Sequence, residues 1–428
     1  MGGTADPSRH AAIRRRLTTT GLVLALASIP LSSHASSHAA PSPQWIGSWA
    51  SAQQIPEPQN ALPAEDLKDA TLRQVVHLSV GGGEVRVRIS NAFGTTPLHL
   101  TSAHLARAHA PGSAAIDAGS DHALSFNGQA EVIVPAGADY WSDPLPMTVA
   151  AGADLAVSLH FATAPAQQTS HPGSRATSYL VHGDQVSAPD LPQAKTVDHW
   201  FNLSGVDVAA GPGGFTVVTL GDSITDGHGA TTNGNDRWSD DLARRLSASA
   251  TTHRVGVLNV GIGGNRVLQD GLGPNAMARF ARDVLAQSRV RAVILLEGVN
   301  DLGTLTRDAP ASPEAHAALV RQILAAYAQV ATQARAHGVQ AIGATILPFG
   351  GSGYYHPTEA NEADRQAINA WIRAPGHFDA VVDFDAVTRD SGHPDRLRPD
   401  YDSGDHLHPS PAGYRAMAEA VPLSLFAR

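Results

Sequence analysis

Four short stretches of this 428-residue sequence carry side chains that can do chemistry. The first is Gly221-Asp222-Ser223-Ile224-Thr225, where a hydroxyl follows directly on the run Val217-Val218-Thr219-Leu220. That run is apolar and β-branched, too short for a helix and closed by glycine, so it reads as a buried strand. A serine at the carboxyl end of such a strand stands where open parallel sheets bind ligands. The same residues also suit any loop entry, so a plain turn competes with a nucleophile here.

The second stretch, Asn259-Val260-Gly261-Ile262-Gly263-Gly264-Asn265-Arg266, lets the backbone turn its amides toward an anion or oxyanion. A dinucleotide loop fails on the glycine spacing, while a tight turn stays open. In the third, Glu297-Gly298-Val299-Asn300-Asp301, the Asn300 amide can donate to a developing oxyanion without carrying charge, although Asn is also a common turn residue. The fourth is Asp405-His406-Leu407-His408. A carboxylate three residues ahead of a histidine can fold back to accept from one ring nitrogen and leave the other as a base. A metal pair of His406 and His408 is the rival, but such neighbours point apart and no third ligand has suitable spacing, so no metal is expected. His406 itself reads as solvated or structural.

These residues need elements to hold them. Candidate strands at 215–220, 254–259, 291–296, 339–347 and 380–384 alternate with amphipathic segments at 238–246, 277–285, 313–337 and 358–372. In the third segment Ser312 can cap, Pro313 suits the first helical position, Leu319, Ile323 and Tyr327 share a face, and Gly338 ends it. Ser410 and Pro411 open a final helix just after His408. This rhythm predicts an α/β fold, a three-layer parallel sheet with helices on both faces, over residues 214–428. Residues 45–210 differ. Val85-Arg86-Val87-Arg88-Ile89-Ser90 alternates as a half-buried strand must, similar runs recur at 72–80, 98–105, 130–134 and 155–161, and glycine and proline clusters part them. That pattern predicts an antiparallel β-sandwich or jelly roll, with the boundary in the small-residue stretch 205–214. Trp45, Trp49, Trp141 and Trp200 in this half suit a sugar-stacking platform or core packing, the commoner fate of tryptophan.

The chain has 43% apolar and 16% charged residues and a net charge of −9, with no basic stripe, which argues against nucleic acid as a partner. Without cysteine there is no disulfide, thiolate metal site or cysteine nucleophile. Arg14-Arg15-Arg16, the apolar segment 21–27, and then Ser33-His34-Ala35 and Ser37-His38-Ala39 predict a secretory signal peptide over residues 1–39. The triple arginine also permits a twin-arginine route, and the mature chain is expected to begin near Ser36 or Ala40. The apolar segment is too short for a stable membrane anchor, and the expected location is secreted or periplasmic.

In order and spacing, the four stretches resemble the SGNH hydrolases, also called GDSL esterases and lipases. Gly221-Asp222-Ser223 matches the nucleophile block, Gly264 the glycine block, Gly298-Val299-Asn300-Asp301 the asparagine block and Asp405-His406-Leu407-His408 the terminal block. Thr225 stands where the elbow of α/β-hydrolases has glycine, which disfavours that other serine-hydrolase fold. The resemblance implies that Ser223 attacks an ester carbonyl, His408 relays its proton, and Asp405 orients the ring. It implies an oxyanion hole from the amides of Ser223 and Gly264 and the side chain of Asn300, and no cofactor. The first half is similar to the β-domain that precedes the catalytic domain in some secreted bacterial members, through Trp45-Ile46-Gly47-Ser48-Trp49 and Ile89-Ser90-Asn91.

The expected function is a secreted serine esterase that removes short acyl groups, such as O-acetyl groups on carbohydrate, from a small-molecule or polysaccharide ester. One alternative is a GDSL lipase or arylesterase acting on lipid or aryl esters. An alternative of another class is a catalytically silent glycan-binding protein, against which the presence of Ser223, Asp405 and His408 argues. Trp238, Arg266, Tyr354 and Tyr355 are candidate substrate-loop residues, with ordinary loop packing as their other reading.

Overall fold

Consecutive residues of a strand point to opposite faces, and Val217 and Val218 are both fully buried, so the central sheet must be covered on both sides. The computed structural model describes residues 44–427, so the leader expected over residues 1–39 lies outside the described residues. Five strands, Phe215–Gly221, Val255–Gly261, Val290–Leu296, Gln340–Ala344 and Ala380–Val382, pair in parallel. The second lies at one edge beside the first, and the third, fourth and fifth follow on the other side. The direction of winding therefore reverses at the first strand, and the crevice outside its carboxyl end is where this topology binds ligands.

Helices Trp238–Ser247 and Pro411–Ala420 pack on one another, as do Pro313–Ala336 and Glu359–Arg373, and these layers cover the sheet. Ser312 caps the long helix by accepting from the Ala315 N–H, with Pro313 in its first turn. The segment expected as one helix at 277–285 is instead an α-helix, Ala276–Phe280, that widens into a π-turn, Ala281–Leu285. The strand expected at 339–347 stops at Ala344, because the Asn369 side chain takes over the ladder by accepting from the Ile346 N–H (2.7 Å) and donating to the Ile346 carbonyl (2.8 Å). Phe384, expected to end the last strand, opens the short helix Phe384–Thr388 that Asp383 caps.

The first half forms antiparallel sheets. One contains Trp45–Ala50, Leu203–Ala209, Gly82–Ser90 and Asp139–Trp141 in that order, with Leu145–Val149 also on Gly82–Ser90. The larger one centres on Ala70–His77, Asp154–Phe161 and Leu98–Arg107. Val85, Val87 and Ile89 of the first sheet share one core with Leu72, Val76, Leu155 and Leu159 of the second, as a sandwich requires.

The polar face of the 85–90 strand is largely turned away from solvent. Arg86 donates to Asp207 (2.7 Å) and Ser288 (3.1 Å), and Arg88 to Ser204 (3.0 Å) and Gln287 (3.1 Å), so this face is the seam with the parallel sheet. The described residues accordingly pack as one unit. The seam is closest where Gly47 meets the edge strand Val255–Gly261. Gly47 N–H donates to Thr216 Oγ1 (3.0 Å), and Val257 N–H donates to Ser79 Oγ (2.9 Å). A β-carbon on Gly256 would stand 2.0 Å from the Gly47 carbonyl oxygen, an atom of backbone that cannot swing aside. Gly256→Ala is expected to lower stability by about 1–3 kcal/mol, seen as an earlier thermal unfolding transition; an unchanged transition would mean that the two strands can part freely.

Candidate active site

Ser223 is placed by a strand that ends abruptly. The Asp222 side chain accepts from the Ile224 N–H (2.9 Å), starting a one-turn helix, Ser223–Asp226, that Gly227 closes with φ of 106°. Only glycine fits at position 221, where a β-carbon would lie 2.1 Å from Thr225 Oγ1 and 2.6 Å from the Leu296 carbonyl. The hydroxyl is thereby fixed at the carboxyl end of the first strand.

The loop before the last helix brings the base. Asp405 Oδ1 accepts from the N–H groups of Leu407 (3.0 Å) and His408 (2.8 Å), while Oδ2 lies 2.6 Å from His408 Nδ1. His408 Nε2 lies 2.8 Å from Ser223 Oγ. With its Nδ1 proton held by the carboxylate, the ring offers Nε2 as acceptor to the serine hydroxyl. Burial opposes the charge on Asp405, but the hydrogen bond and attraction from His408 and the backbone N–H groups outweigh it and hold the carboxyl well below its ordinary range.

Hydrogen-bond donors converge beside the serine. Among the described residues no acceptor takes the N–H of Ser223 or of Gly264, whose φ is 73°. Asn300 Nδ2 donates one proton to the Asn265 carbonyl (2.7 Å), and its Oδ1 accepts from the Tyr355 hydroxyl (2.6 Å). These contacts fix which way the amide faces and leave its second N–H free to donate. Asp301 accepts from the N–H groups of Val267 (2.8 Å) and Leu268 (3.2 Å), anchoring the far side of the glycine loop. Behind the site, the fully buried Arg279 donates to the carbonyl of Gly221 (2.9 Å), to Asn265 Oδ1 (3.0 Å) and to Glu297 (3.3 Å). A nucleophile, a base, an orienting carboxylate and uncharged donors around one point are the parts of acyl transfer.

A cleft of about 1010 Å³ opens on Ser223 and His408. Arg266, Tyr354 and Tyr355 line it. Tyr355 is buried and bonded to Asn300, so it supports that amide, whereas the Tyr354 ring is 59% exposed. Trp238 does not reach the cleft: it is fully buried, its ring 5.3 Å from that of Phe384, because it opens a helix whose apolar face turns to the sheet. His406, also on the cleft lining, pairs with Asp402 (2.5 Å). Of the two readings of the tryptophans, packing is the one found, and no indole stands in the described cleft lining. Trp49 and Trp200 are buried edge to face (4.8 Å), and Trp45 and Trp141 flank the Arg86 guanidinium.

Two contributions escape sequence reasoning. Gln54, Glu57, Asn60 and Gly173 of the antiparallel half line the same cleft, a meeting that no spacing in the sequence signals. The His228 ring leans against that of His408 (4.0 Å, tilted by 41°), takes a hydrogen bond from Arg175 on Nδ1 (2.7 Å) and turns Nε2 toward Asp405 (3.7 Å). Burial, with the charges of His408 and Arg175, pushes His228 down to about 4. The ligand atoms of His228, Asp405 and His408 lie within 4.8 Å of one another, the geometry of a metal cluster, but both ring nitrogens of His408 are engaged in the proton relay.

Residues 219–416 match the GDSL-like Lipase/Acylhydrolase family. No curated protein matches the chain. Among solved structures, a GDSL-like lipase from Bacteroides thetaiotaomicron is 22% identical over 48% of this chain and 84% of its own, with a TM-score of 0.35. A variant of an acetyl xylan esterase from Geobacillus stearothermophilus is 20% identical over 48% of this chain and 92% of its own, also with a TM-score of 0.35.

The carboxyl groups behind the serine shape its response to pH. Burial pushes Asp222 up to about 7, with repulsion from Asp301 and Asp226 outweighed only in part by the Ile224 N–H and Arg279. Burial likewise pushes Asp301 up to about 6 against the Val267 and Leu268 N–H groups, and lifts Glu297 well above its ordinary value. Each acid binds its proton more tightly folded than unfolded, so the native state carries more protons between the ordinary value of 3.8 and about 7. Stability from these groups is present below that window and falls as pH rises through it. Asp222→Asn keeps an acceptor for Ile224 and is expected to flatten the decline in unfolding temperature across the window; a variant with the wild-type slope would rule Asp222 out as its source.

Proposed function

We propose that this chain, an ester-cleaving hydrolase carrying a GDSL-like lipase/acylhydrolase domain at residues 219–416, removes short acyl groups, such as O-acetyl groups of carbohydrate, through an acyl-enzyme on Ser223. The observation that carries this reading is the unbroken relay from Asp405 through His408 to Ser223, with contacts of 2.6 and 2.8 Å, at the floor of the cleft. Ser223 Oγ attacks the ester carbonyl as His408 Nε2 takes its proton, and Asp405 stabilises the resulting imidazolium. The carbonyl oxygen, now negative, is met by the N–H groups of Ser223 and Gly264 and the free N–H of Asn300. As the tetrahedral adduct collapses, His408 returns the proton to the departing alcohol. Water then attacks the acyl-serine by the same route, yielding the acid and free Ser223.

Two features favour a small acyl group on a sugar. Leu272 stands over Gly264, where a β-carbon would meet it at 2.5 Å, limiting room beside the donors. The opposite wall offers Glu57, held by Gln54 (2.7 Å) and Asn60 (2.8 Å), as a ready partner for hydroxyl groups. A second reading, aryl or lipid esters, is favoured by the exposure of Leu272 (42%) and Tyr354 (59%) on the lining of the cleft. We also propose that residues 1–39 are a secretory leader, on the strength of the basic, apolar and small-residue order described above. Among the described residues no helix is long and apolar enough to cross a membrane.

Ser223→Ala is expected to abolish hydrolysis of p-nitrophenyl acetate and butyrate, and equal rates would eliminate the serine mechanism. Asn300→Ala should cut turnover by ~10²–10³. Acetate release from a panel of acetylated polysaccharides, set beside a chain-length series of simple esters, separates the two substrate readings: preference for long or aryl acyl groups with no release from any glycan would sink the carbohydrate one.

A further inference from the structure

We infer that His171, contributed by the antiparallel half, is a positioning residue for the oxyanion loop and acts through Asp226. The strand Ser170–His171 pairs with Trp200–Phe201, and the Trp200 ring stacks on His171 at 5.6 Å and 27°. His171 Nδ1 meets the Ala52 carbonyl (2.7 Å), which anchors the ring, and Nε2 meets Asp226 Oδ1 (2.8 Å). The second oxygen of Asp226 accepts the Gly263 N–H (3.0 Å), one peptide before the Gly264 N–H that is free to meet an oxyanion. His171 and Asp226 are 3% and 5% exposed, so both are shielded from bulk solvent.

The carboxylate is closely packed on one side and borders a small cavity of about 40 Å³ on another, lined by His171, Asp226 and Arg237. A β-carbon on Gly173 would lie 1.8 Å from Asp226 Oδ2, and one on Gly261 would lie 2.3 Å from the Asp226 backbone nitrogen. Arg237 Nε holds the Asp226 carbonyl (2.8 Å), which leaves the orientation of the carboxylate to His171. A buried carboxylate needs charge-assisted donors to stay in place. Without the ring, Asp226 turns, the Gly263 amide loses its acceptor, and the following amide loses its aim. Since catalysis by such donors depends on their being aligned before the reaction, the loss falls on turnover and not on substrate binding.

This assignment rests on Gly264 acting as an oxyanion donor, and the test keeps the two apart. In the full-length chain, His171→Gln retains a donor near the Nε2 position, facing Asp226, whereas His171→Asn retains one only near Nδ1, facing Ala52. Turnover of p-nitrophenyl acetate is measured per active serine, counted by fluorophosphonate labelling, beside unfolding temperature. His171→Asn should lose roughly tenfold or more in kcat per active serine with KM little changed, short of the ~10²–10³ for losing a donor outright, and His171→Gln should recover most of it. Equal kcat per active serine in both variants and wild type, or a loss in His171→Gln as deep as in His171→Asn, would overturn the assignment. Ser223→Ala runs alongside: an inactive Ser223→Ala with unaffected His171 variants removes only the role of His171, while an active one removes the acyl-enzyme reading beneath it.

Discussion

The guanidinium of Arg279 is the constraint on which the active end of the parallel sheet depends. Strand ends leave carbonyls without ladder partners, and buried ones must find donors. Arg279 supplies them from one rigid fork, reaching the Gly221 and Val260 carbonyls, the Asn265 side chain and Glu297, so it gathers the ends of the first three strands and the glycine loop. Asp283 lies four residues on in the same helical segment and helps to hold it (3.2 Å). A fully buried charge of this kind is weak evidence of stability, since its desolvation offsets most of its pairing. Its role here is geometric: Ser223, Gly264 and Asn300 each follow a strand that this one side chain fixes relative to the others.

Much of this was legible in the sequence, for local reasons. The hydrophobic period distinguished the strands from the helices, and Ser312, Pro313 and Gly338 bounded the longest helix within a residue or two. The three-residue spacing of Asp405 and His408 is a short-range device, and the loop folds back as that spacing allows. What stayed hidden depends on residues far apart in the chain. The alternation at 85–90 cannot say whether its polar side meets water or a second sheet. Trp238 looks like a loop aromatic until the helix it opens is laid against Phe384. Asn369 ends a strand from 23 residues away. His228 follows closely on the stretch of the nucleophile, yet only the fold shows that it rests on His408.

The antiparallel half is thus more than an appendage. It gives the cleft one wall through Gln54, Glu57 and Asn60, and its tryptophans serve packing: Trp200 seats the His171 ring, and Trp45 and Trp141 flank the arginine that bridges to Ser288. Packing, the commoner of the two readings of those indoles, is the one found. The proposal of a carbohydrate ester rests instead on a carboxylate braced by two side-chain amides.

The near approach of Gly47 to Gly256 also bears on solubility. Val255–Gly261 is the border of the parallel sheet, where unpaired backbone would invite another chain to add a strand. Here the outward amide of Val257 is occupied by Ser79, that of Gly261 by the side chain of Asn259, and the sandwich stands against the remainder. The opposite border is only three residues long and gives way to Asp383, ion-paired with Arg373. The β-sandwich therefore covers a strand border that a catalytic half freed from it would leave open to pairing.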